Sequence, residues 1–391
     1  MTDFELTETQ RLIRDTVRQY MTREIEPLVP EMESGALLPY EPARKMVREL
    51  GFGGGGGALA EAMQAAAAED RLDLFVPTVI FAEISRVCAG LALSYGASIG
   101  LAGGNIQSRG TPEQIGKYLP ALLNVDKIGS WCLTEPQAGS AAIRDMKTRA
   151  VRDGDAFVLN GSKTFITNAP YADVFVVYAK LREGDAESVQ AFIVERDDPG
   201  ISTGTPFKKM GFRSSPTGEV FLNDCRIPAD RLLGGGIKER DHVRKSLANE
   251  RMGLQVISYG LMERAFEIAL QYARDRQQGG QPIGNYQLVQ RRLARMYMHL
   301  ANARLFVFGD VLAGRKRKQS VADVCVGKLY VAEMATQVTN DAIHVLAGNG
   351  YMEEYVVERL ARDAKLIELG GGTTEIQELT AGRWLVEEYG R

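Results

Sequence analysis

One acidic residue of the chain stands where an apolar residue is expected. Glu250 follows Leu247 by three residues and precedes Leu254 by four, so it lies on the apolar face of its helix. A carboxylate there costs free energy unless it is paired, or held with a raised pKa for proton transfer. Arg251 points about 100° away around the helix and is not an automatic partner. Glu250 is therefore a candidate general base, and a Glu paired with an Arg from another element is the alternative.

Two further segments could bind a ligand through backbone groups. Residues 131–140 combine small residues at 138–140 with the hydroxyl groups of Thr134 and Ser140. Residues 370–377 form a glycine-rich loop before a helix, and Thr374-x-x-Gln377 predicts a capping box at its start. Such a helix N-terminus can receive a phosphate or another anion. A plain turn is the alternative for both segments.

The hydrophobic periodicity divides the chain into three zones that must position these residues. It is helical from residue 6 to about 125, changes to short β-branched and aromatic runs, and is helical again from about 243. This order predicts a multi-domain α+β protein. We expect an N-terminal α-helical domain at 1–126, a middle β-barrel or sandwich domain at 127–238, and a C-terminal four-helix bundle domain at 239–391.

Short signals mark the ends of several elements. Thr7-x-x-Gln10 and Thr111-Pro-Glu-Gln114 predict helix starts with capping boxes. Asp153-Gly154 and Asn160-Gly161 predict hairpin turns. The Gly- and Ala-rich tract at 53–68 predicts a flexible loop running into an Ala-rich helix. A phosphate-binding loop is disfavoured in this tract because no Gly-Lys-Ser/Thr follows.

Composition and charge disfavour several classes of function. The chain has 391 residues, and 47 Lys and Arg against 50 Asp and Glu leave a net charge of -3, which argues against a nucleic-acid binder. No apolar run approaches the ~18 residues of a membrane span, so we expect no membrane partner. Four scattered cysteines and a start without a signal-peptide layout lead us to expect a cytoplasmic protein. None of the three histidines pairs with a Cys at metal-ligand spacing, and we expect no metal.

Taken in order, the motifs resemble those of the acyl-CoA dehydrogenase family over nearly the whole chain. No single string is decisive, but their order and spacing make coincidence negligible. The matching segments are 4–10, 110–120, 134–140, 160–168, 209–213, 224–228, Arg276 followed by Gln287, 347–351 and 362–365.

The resemblance implies a flavoenzyme that binds FAD and an acyl-CoA thioester and passes electrons to an electron-transfer flavoprotein. It also implies a homotetramer in which Arg276 and Gln287 reach a neighbour's FAD. The residues that it assigns to FAD are Trp131, Leu133, Thr134, Ser140, Phe165, Thr167, Arg276, Gln287, His344, Gly348, Thr373 and Glu375. Those that it assigns to the acyl-CoA are Ser140, Asn249, Arg251, Gly371 and Gly372.

The resemblance also indicates where the catalytic base lies. Most family members carry a Glu in the C-terminal glycine-rich loop, where this chain has Gly371. The branch similar to isovaleryl-CoA dehydrogenase instead carries its Glu before an Arg on the first helix of the bundle, which matches Glu250-Arg251. The absence at 371 and the presence at 250 support each other. Glu250 is therefore expected to remove the α-proton while the β-hydrogen leaves as hydride to flavin N5.

The chain departs from the family pattern at several positions. Ala141 replaces the Asp that usually follows Ala-Gly-Ser, Phe165 replaces the flavin-shielding Trp, and Gly279 stands where an aromatic is expected. The tract at 53–68 replaces a loop of the Gly-Gly-Leu-Gly type. None of these changes removes a catalytic group.

Small residues and the branch resemblance together predict a wide acyl pocket. The small residues are Gly96, Ala97, Ser98, Gly100, Ala102, Gly103 and Gly104. We expect the pocket to admit a branched, cyclic or aromatic-bearing acyl group. The alternative is that these small residues only allow close packing of helices.

The open alternatives for function are an acyl-CoA oxidase, an enoyl-CoA reductase on the same fold, and a catalytically silent scaffold.

Overall fold

A computed structural model describes residues 6–52, 75–183, 186–234, 239–312 and 320–390. Within these residues the chain runs from helices, through a sheet, back to helices, as the periodicity predicts. The Gly- and Ala-rich tract at 53–68 lies outside the described residues, so its prediction is not tested.

The N-terminal region is helical, and both predicted capping boxes are confirmed. The hydroxyl groups of Thr7 and Thr111 accept hydrogen bonds from the N–H groups of Gln10 and Gln114, whose side chains accept in return. A π-helical stretch, Ala97–Gly103, separates the fifth and sixth helices. The helices are α1 (Glu8–Tyr20), α2 (Val29–Ser34), α3 (Tyr40–Leu50), α4 (Phe75–Val87), α5 (Ala89–Gly96), α6 (Gly104–Arg109) and α7 (Pro112–Leu123).

The middle region forms one seven-stranded sheet. Its strands are β1 (Gly129–Cys132), β2 (Arg149–Asp153), β3 (Ala156–Thr167), β4 (Val174–Glu183), β5 (Ala186–Glu195), β6 (Ile201–Thr203) and β7 (Thr217–Pro228). The order is β1-β4-β2-β3-β7-β6, and β5 pairs with β4. β4 is parallel to β1 and β2, and the other pairs are antiparallel.

One predicted hairpin is confirmed and the other is wrong. Asp153-Gly154 turns the chain between β2 and β3, whereas Asn160-Gly161 lies inside β3, where the pairing with β7 shifts register. Gly161 has a φ of +151°, and a Cβ on it would lie 2.7 Å from the Cα of Thr148. The glycine therefore serves a β-bulge and a close backbone approach rather than a turn.

The C-terminal region is helical and packs against both other regions. Its helices are α8 (Glu239–Asp275), α9 (Gln287–Leu312), α10 (Val321–Leu346), α11 (Val357–Leu369) and α12 (Thr374–Glu388). Val17 of α1, Phe175 of β4 and Leu261 of α8 belong to one continuous hydrophobic core. None of the helices in the described residues combines the length and apolar character needed to cross a membrane.

An ionic cluster with two buried carboxylates fixes α8 against α1 and α4. The guanidinium of Arg18 on α1 lies 2.6 Å from the carboxylate of Glu83 on α4 and 3.2 Å from that of Glu263 on α8. α4 and α8 also approach closely, because a Cβ on Gly260 would lie only 2.6 Å from the carbonyl oxygen of Ala82. The helix that carries Glu250 is therefore held at a defined distance from α4.

Candidate active site

A cavity of about 250 Å³ lies where the N-terminal helices, the sheet and α8 meet. Its wall includes residues from α4 and α5, from the loop after β1, from β3 and from the first half of α8. Six residues that the sequence assigns to a site line this one cavity. They are Trp131, Thr134, Phe165, Thr167, Asn249 and Glu250.

Glu250 is a half-buried carboxylate in the cavity wall, beside Leu254. Burial raises its pKa to about 7, although the nearby Arg251 and Lys328 act in the opposite direction. No hydrogen bond or ion pair within 4 Å joins its carboxylate to another of the described residues. This geometry favours the general base over the paired structural Glu, because the carboxylate is free to accept a proton near neutral pH.

The glycine-rich loop lies directly beside Glu250. Gly371 and Gly372 have φ angles of +64° and +93°, a conformation that favours glycine. A Cβ on Gly371 would lie 3.7 Å from the Cδ of Glu250 and 2.6 Å from the Cδ1 of Leu254. Positions 250 and 371, the two places that the resemblance offers for a catalytic base, therefore converge in this chain. Leu254 occupies the space that a side chain at 371 needs.

Three side chains hold this loop by its carbonyl groups. Arg251 donates to the Gly371 carbonyl oxygen (3.3 Å), and Lys328 donates to that of Gly372 (2.8 Å). The Gln377 amide donates to both, at 3.0 and 2.9 Å. Among the described residues, the N–H of Gly371 has no hydrogen-bond acceptor. That N–H is available to a ligand oxygen.

The predicted capping box at Thr374-x-x-Gln377 is wrong. α12 begins at Thr374 with Thr373 in the N-cap position, and no side-chain cap bond is made. Gln377 is fully buried, and its amide turns to the glycine loop instead. The reason is tertiary: the Gln377 amide donates to two loop carbonyls that lack helical partners, and its oxygen does not turn to accept from the N–H group at the helix start.

The sheet side of the cavity has the marks of a ligand site. The indole N–H of Trp131 is buried without a hydrogen-bond partner among the described residues. Phe165 has a φ of +56°, which is strained for an aromatic residue, and its ring is 69% exposed. Thr134 and Thr167 add hydroxyl groups to this wall. Apolar rings, hydroxyl groups and an orphaned donor around one cavity fit the ring system of a flavin.

A fully buried ion pair fixes this wall. The ammonium of Lys163 on β3 lies 2.8 Å from the carboxylate of Glu135 and also donates to the Leu133 carbonyl oxygen. Burial opposes the ionisation of Glu135, but Lys163 and hydrogen bonds from Thr148 and Lys147 lower its pKa to about 2. The pair therefore ties the loop after β1 to the strand that carries Phe165 and Thr167. Sequence reasoning did not single it out.

Other predicted residues lie outside the cavity wall. Leu133 is buried in the sheet core, while Arg251, Gly371, Gly372 and Thr373 are half-buried in or around the glycine loop. The remaining ones are exposed and do not line the cavity, so a single chain does not bring them to it. These are Ser140, Arg276, Gln287, His344, Gly348 and Glu375.

The predicted small residues divide into two groups. Gly96, Ala97 and Gly100 line the cavity. By contrast, the Ser98 hydroxyl accepts a hydrogen bond from the N–H of Gly129, and a Cβ on Gly103 would contact Leu119. Part of the set therefore faces the cavity and part packs helices and sheet together. Sequence reasoning missed Gly253, which faces the cavity from α8.

Comparison with known proteins agrees with this arrangement over the whole chain. Family models for the N-terminal, middle and C-terminal domains of acyl-CoA dehydrogenases match residues 7–126, 130–225 and 241–386. A probable acyl-CoA dehydrogenase of Bacillus subtilis is 35% identical in an alignment 397 residues long, which covers 98% of this chain and 100% of that protein. The mitochondrial isovaleryl-CoA dehydrogenase of Pongo abelii is 35% identical over 382 residues, 97% of this chain and 89% of that protein.

A solved structure extends the comparison to the fold. The acyl-CoA dehydrogenase of Bacillus anthracis, complexed with FAD, superimposes with a TM-score of 0.84 at 30% identity. The match covers 99% of this chain and 68% of that one. The resemblance and the three-region fold expected from the sequence are thereby confirmed. The chain belongs to the acyl-CoA dehydrogenase family.

Proposed function

We propose that the chain is an FAD-dependent acyl-CoA dehydrogenase that converts an acyl-CoA thioester to the 2-enoyl-CoA. The observation that carries this proposal is the carboxylate of Glu250, which lines the cavity unpaired and has a pKa of about 7. At neutral pH about half of such groups are ionised, so Glu250 can take the α-proton and later release it.

The charge that develops on the thioester oxygen needs a donor. The N–H of Gly371 has no other acceptor among the described residues, and it lies on the loop that contacts Glu250. A fixed backbone donor of this kind stabilises an oxyanion without reorganising. We assign the thioester to this loop, with Ser140, Asn249, Arg251 and Gly372 as further contacts of the acyl-CoA.

FAD fits the sheet wall of the cavity. Trp131, Thr134, Phe165 and Thr167 would hold the isoalloxazine ring, and Leu133 would support that loop from the core. When bound, FAD supplies the acceptor for the β-hydrogen, which leaves as hydride. The remaining contacts to FAD are assigned to residues that are exposed or half-buried in the single chain. They are Ser140, Arg276, Gln287, His344, Gly348, Thr373 and Glu375.

The exposed members of this set suit an assembly of several copies. Large apolar side chains are exposed on α9 and α12, among them Leu288, Leu379 and Val386. Side chains of this kind become buried where copies of a chain pack together. We therefore propose a homotetramer in which a neighbour completes each FAD site. Light scattering tests this, and a stable FAD-saturated monomer would contradict it.

The acyl group is proposed to be branched, cyclic or aromatic-bearing. A Cβ on Gly100 or on Gly253 would meet nothing within 4 Å, so both glycines leave open space in the cavity wall. The similarity to isovaleryl-CoA dehydrogenase supports the same choice. We further propose an electron-transfer flavoprotein as acceptor, a cytoplasmic location, and domains at 1–126, 127–238 and 239–391.

The experiment that tests the function is an anaerobic titration of the purified flavoprotein with a panel of acyl-CoAs. Bleaching of the flavin absorbance by a branched or ring-bearing acyl-CoA, with formation of the enoyl-CoA, is the expected result. Oxygen consumption without an added acceptor would indicate an oxidase instead. Flavin that is reoxidised by enoyl-CoA much faster than it is reduced by acyl-CoA would indicate a reductase. A protein that stays colourless with excess FAD would indicate a silent scaffold.

A further inference from the structure

Lys328 is a buried cation that the mechanism above does not use. It lies on α10, is 1% exposed, and has buried Val324 and Val331 on the same helix. Burying an ammonium group is costly unless it is paired, yet no carboxylate of the described residues lies within ion-pair distance of it. Its hydrogen bond goes to the carbonyl oxygen of Gly372, at 2.8 Å. Lys328 is thus a buried cation whose hydrogen-bond partner is a carbonyl oxygen of the glycine loop.

The packing of α10 against α8 brings Lys328 to this loop. A Cβ on Gly327 would lie 2.6 Å from the Oε1 of Gln255, so the two helices approach closely one residue before Lys328. Gln255 lies five residues, about 1.4 helical turns, after Glu250 on α8. Lys328 therefore lies close to the segment of α8 that carries Glu250, and its ammonium reaches the Gly372 carbonyl oxygen of the loop beside that residue.

The loop itself needs to be held. Two successive residues, Gly371 and Gly372, have positive φ, and glycine loses more conformational freedom on ordering than any other residue. Among the residues that the structure describes, two cations donate to this pair of carbonyl groups: Lys328 from α10 and Arg251 from α8. Fixing these carbonyls also fixes the neighbouring Gly371 N–H relative to Glu250.

We propose that Lys328 is a positioning residue, which holds the glycine loop against Glu250 through the Gly372 carbonyl and brings a positive charge to the loop that lies beside that carboxylate. Its effect on catalysis rests on the proposed function, whereas the loop contact does not.

The charged surroundings of both groups are defined by four helices. Arg251 from α8 and Lys328 from α10 act on Glu250, and both lower its pKa against the effect of burial. Burial and Arg251 lower the pKa of Lys328 to about 8, while Glu250, Glu368 and Cys325 oppose this. Glu375 on α12 is also affected by Lys328. Removing the charge of Lys328 therefore raises the pKa of Glu250 further.

Two substitutions separate the hydrogen bond from the charge. Lys328→Gln keeps a donor for the Gly372 carbonyl and removes the charge, whereas Lys328→Met removes both. Lys365→Met is the matched control, because Lys365 is an exposed lysine that pairs with Glu368 on α11. All three are compared as FAD-loaded full-length protein.

The first readout is the rate of flavin reduction by acyl-CoA as a function of pH. Loss of this charge raises the pKa of Glu250 and lowers its ionised fraction, so both Lys328 variants are expected to be slower than wild type, by about fivefold at pH 7. Lys328→Gln rejoins wild type above about pH 9, where Glu250 is ionised in either protein, and Lys328→Met stays slower because its loop is released. A pH profile unchanged from wild type in both variants overturns the charge effect.

The second readout does not depend on activity. Hydrogen exchange of the peptide spanning 370–377 is expected to be faster in Lys328→Met than in Lys328→Gln or in Lys365→Met. Equal protection in all of them overturns the positioning role. If wild-type flavin is not reduced by any acyl-CoA, the proposed function fails, and the exchange experiment still decides whether Lys328 holds the loop.

Discussion

The two walls of the cavity use buried charge in opposite ways. On the sheet wall, Glu135 and Lys163 are paired at 2.8 Å and the carboxylate accepts further hydrogen bonds. On the bundle wall, Glu250 has no partner within bonding distance among the described residues. The first carboxylate has a pKa of about 2 and the second a pKa of about 7. The paired carboxylate of Glu135 fixes the backbone of its loop, whereas the unpaired carboxylate of Glu250 is free to exchange a proton.

Replacing Glu250 by Gln tests the unpaired side and has the largest expected effect. Gln keeps the size but cannot accept the α-proton, and general-base catalysis is typically worth about 10²–10⁴ in rate. We expect the rate of flavin reduction by acyl-CoA to fall by a factor of at least about 10²–10⁴, while FAD stays bound. Stopped-flow absorbance measures it. A rate within about threefold of wild type would show that Glu250 is not the base.

The same variant also reports on stability. Because the folded-state pKa of Glu250 is raised, its burial costs stability above the unfolded pKa of about 4.5, increasingly up to about pH 7. Glu250→Gln is therefore expected to melt at a higher temperature than wild type at pH 8, with little difference at pH 4. A lower melting temperature at pH 8 would mean that the carboxylate has a structural partner.

Breaking the paired side has the opposite effect on stability. Lys163→Met leaves Glu135 buried without its cation, which typically costs about 3–5 kcal/mol. We expect a clearly lower melting temperature and loss of FAD, since the loop that carries Thr134 is released. Calorimetry and flavin retention after gel filtration measure both. Adding Glu135→Gln to Lys163→Met is expected to recover part of the loss, and no recovery would argue against the pair as its cause.

The pH dependence of the wild-type protein sharpens the contrast without mutation. With a pKa of about 7, the ionised fraction of Glu250 rises about tenfold between pH 6 and pH 8, and flavin reduction is expected to rise with it. FAD retention is expected to stay constant over this range, because Glu135 remains ionised far above its pKa of about 2. Parallel changes in rate and retention would contradict separate roles for the two walls.

The smallest effect concerns the width of the cavity. Gly100→Ala adds a methyl group where a Cβ meets nothing within 4 Å, so the fold is expected to tolerate it. We expect kcat/KM for a branched acyl-CoA to fall several-fold relative to butyryl-CoA. Gly116→Ala on α7 is the control, since its Cβ also meets nothing but Gly116 does not line the cavity. An equal change in both variants would remove Gly100 from substrate selection.

Single residues show how far the sequence could predict this site. Glu250 was identifiable because a carboxylate interrupts an apolar stripe, and the structure places it in the cavity wall. Lys328 carries the same signature on α10, between buried Val324 and Val331, and could have been found in the same way. The Glu135–Lys163 pair could not have been predicted, because no local sequence pattern in a loop and a strand indicates that their side chains meet.

The wrong predictions share a physical cause. Asn160-Gly161 has hairpin chemistry, but the pairing of β3 with β7 and the approach of Thr148 convert it to a bulge. Gln377 has capping chemistry, but two loop carbonyls compete for its amide. In each case a tertiary partner outweighed a local preference. The fold class was predictable because periodicity over long segments does not depend on one partner.

The close contact between Gly371 and Leu254 bears on how this lineage can evolve. A glutamate at 371 needs a backbone φ of +64° and the space that the Leu254 side chain fills, at 2.6 Å from the new Cβ. It would also stand against Glu250, so a chain with both carboxylates would suffer repulsion. A carboxylate can therefore move from 250 to 371 only with coordinated substitutions at 250, 254 and 371. Epistasis of this kind is expected to keep the carboxylate at 250 within one lineage.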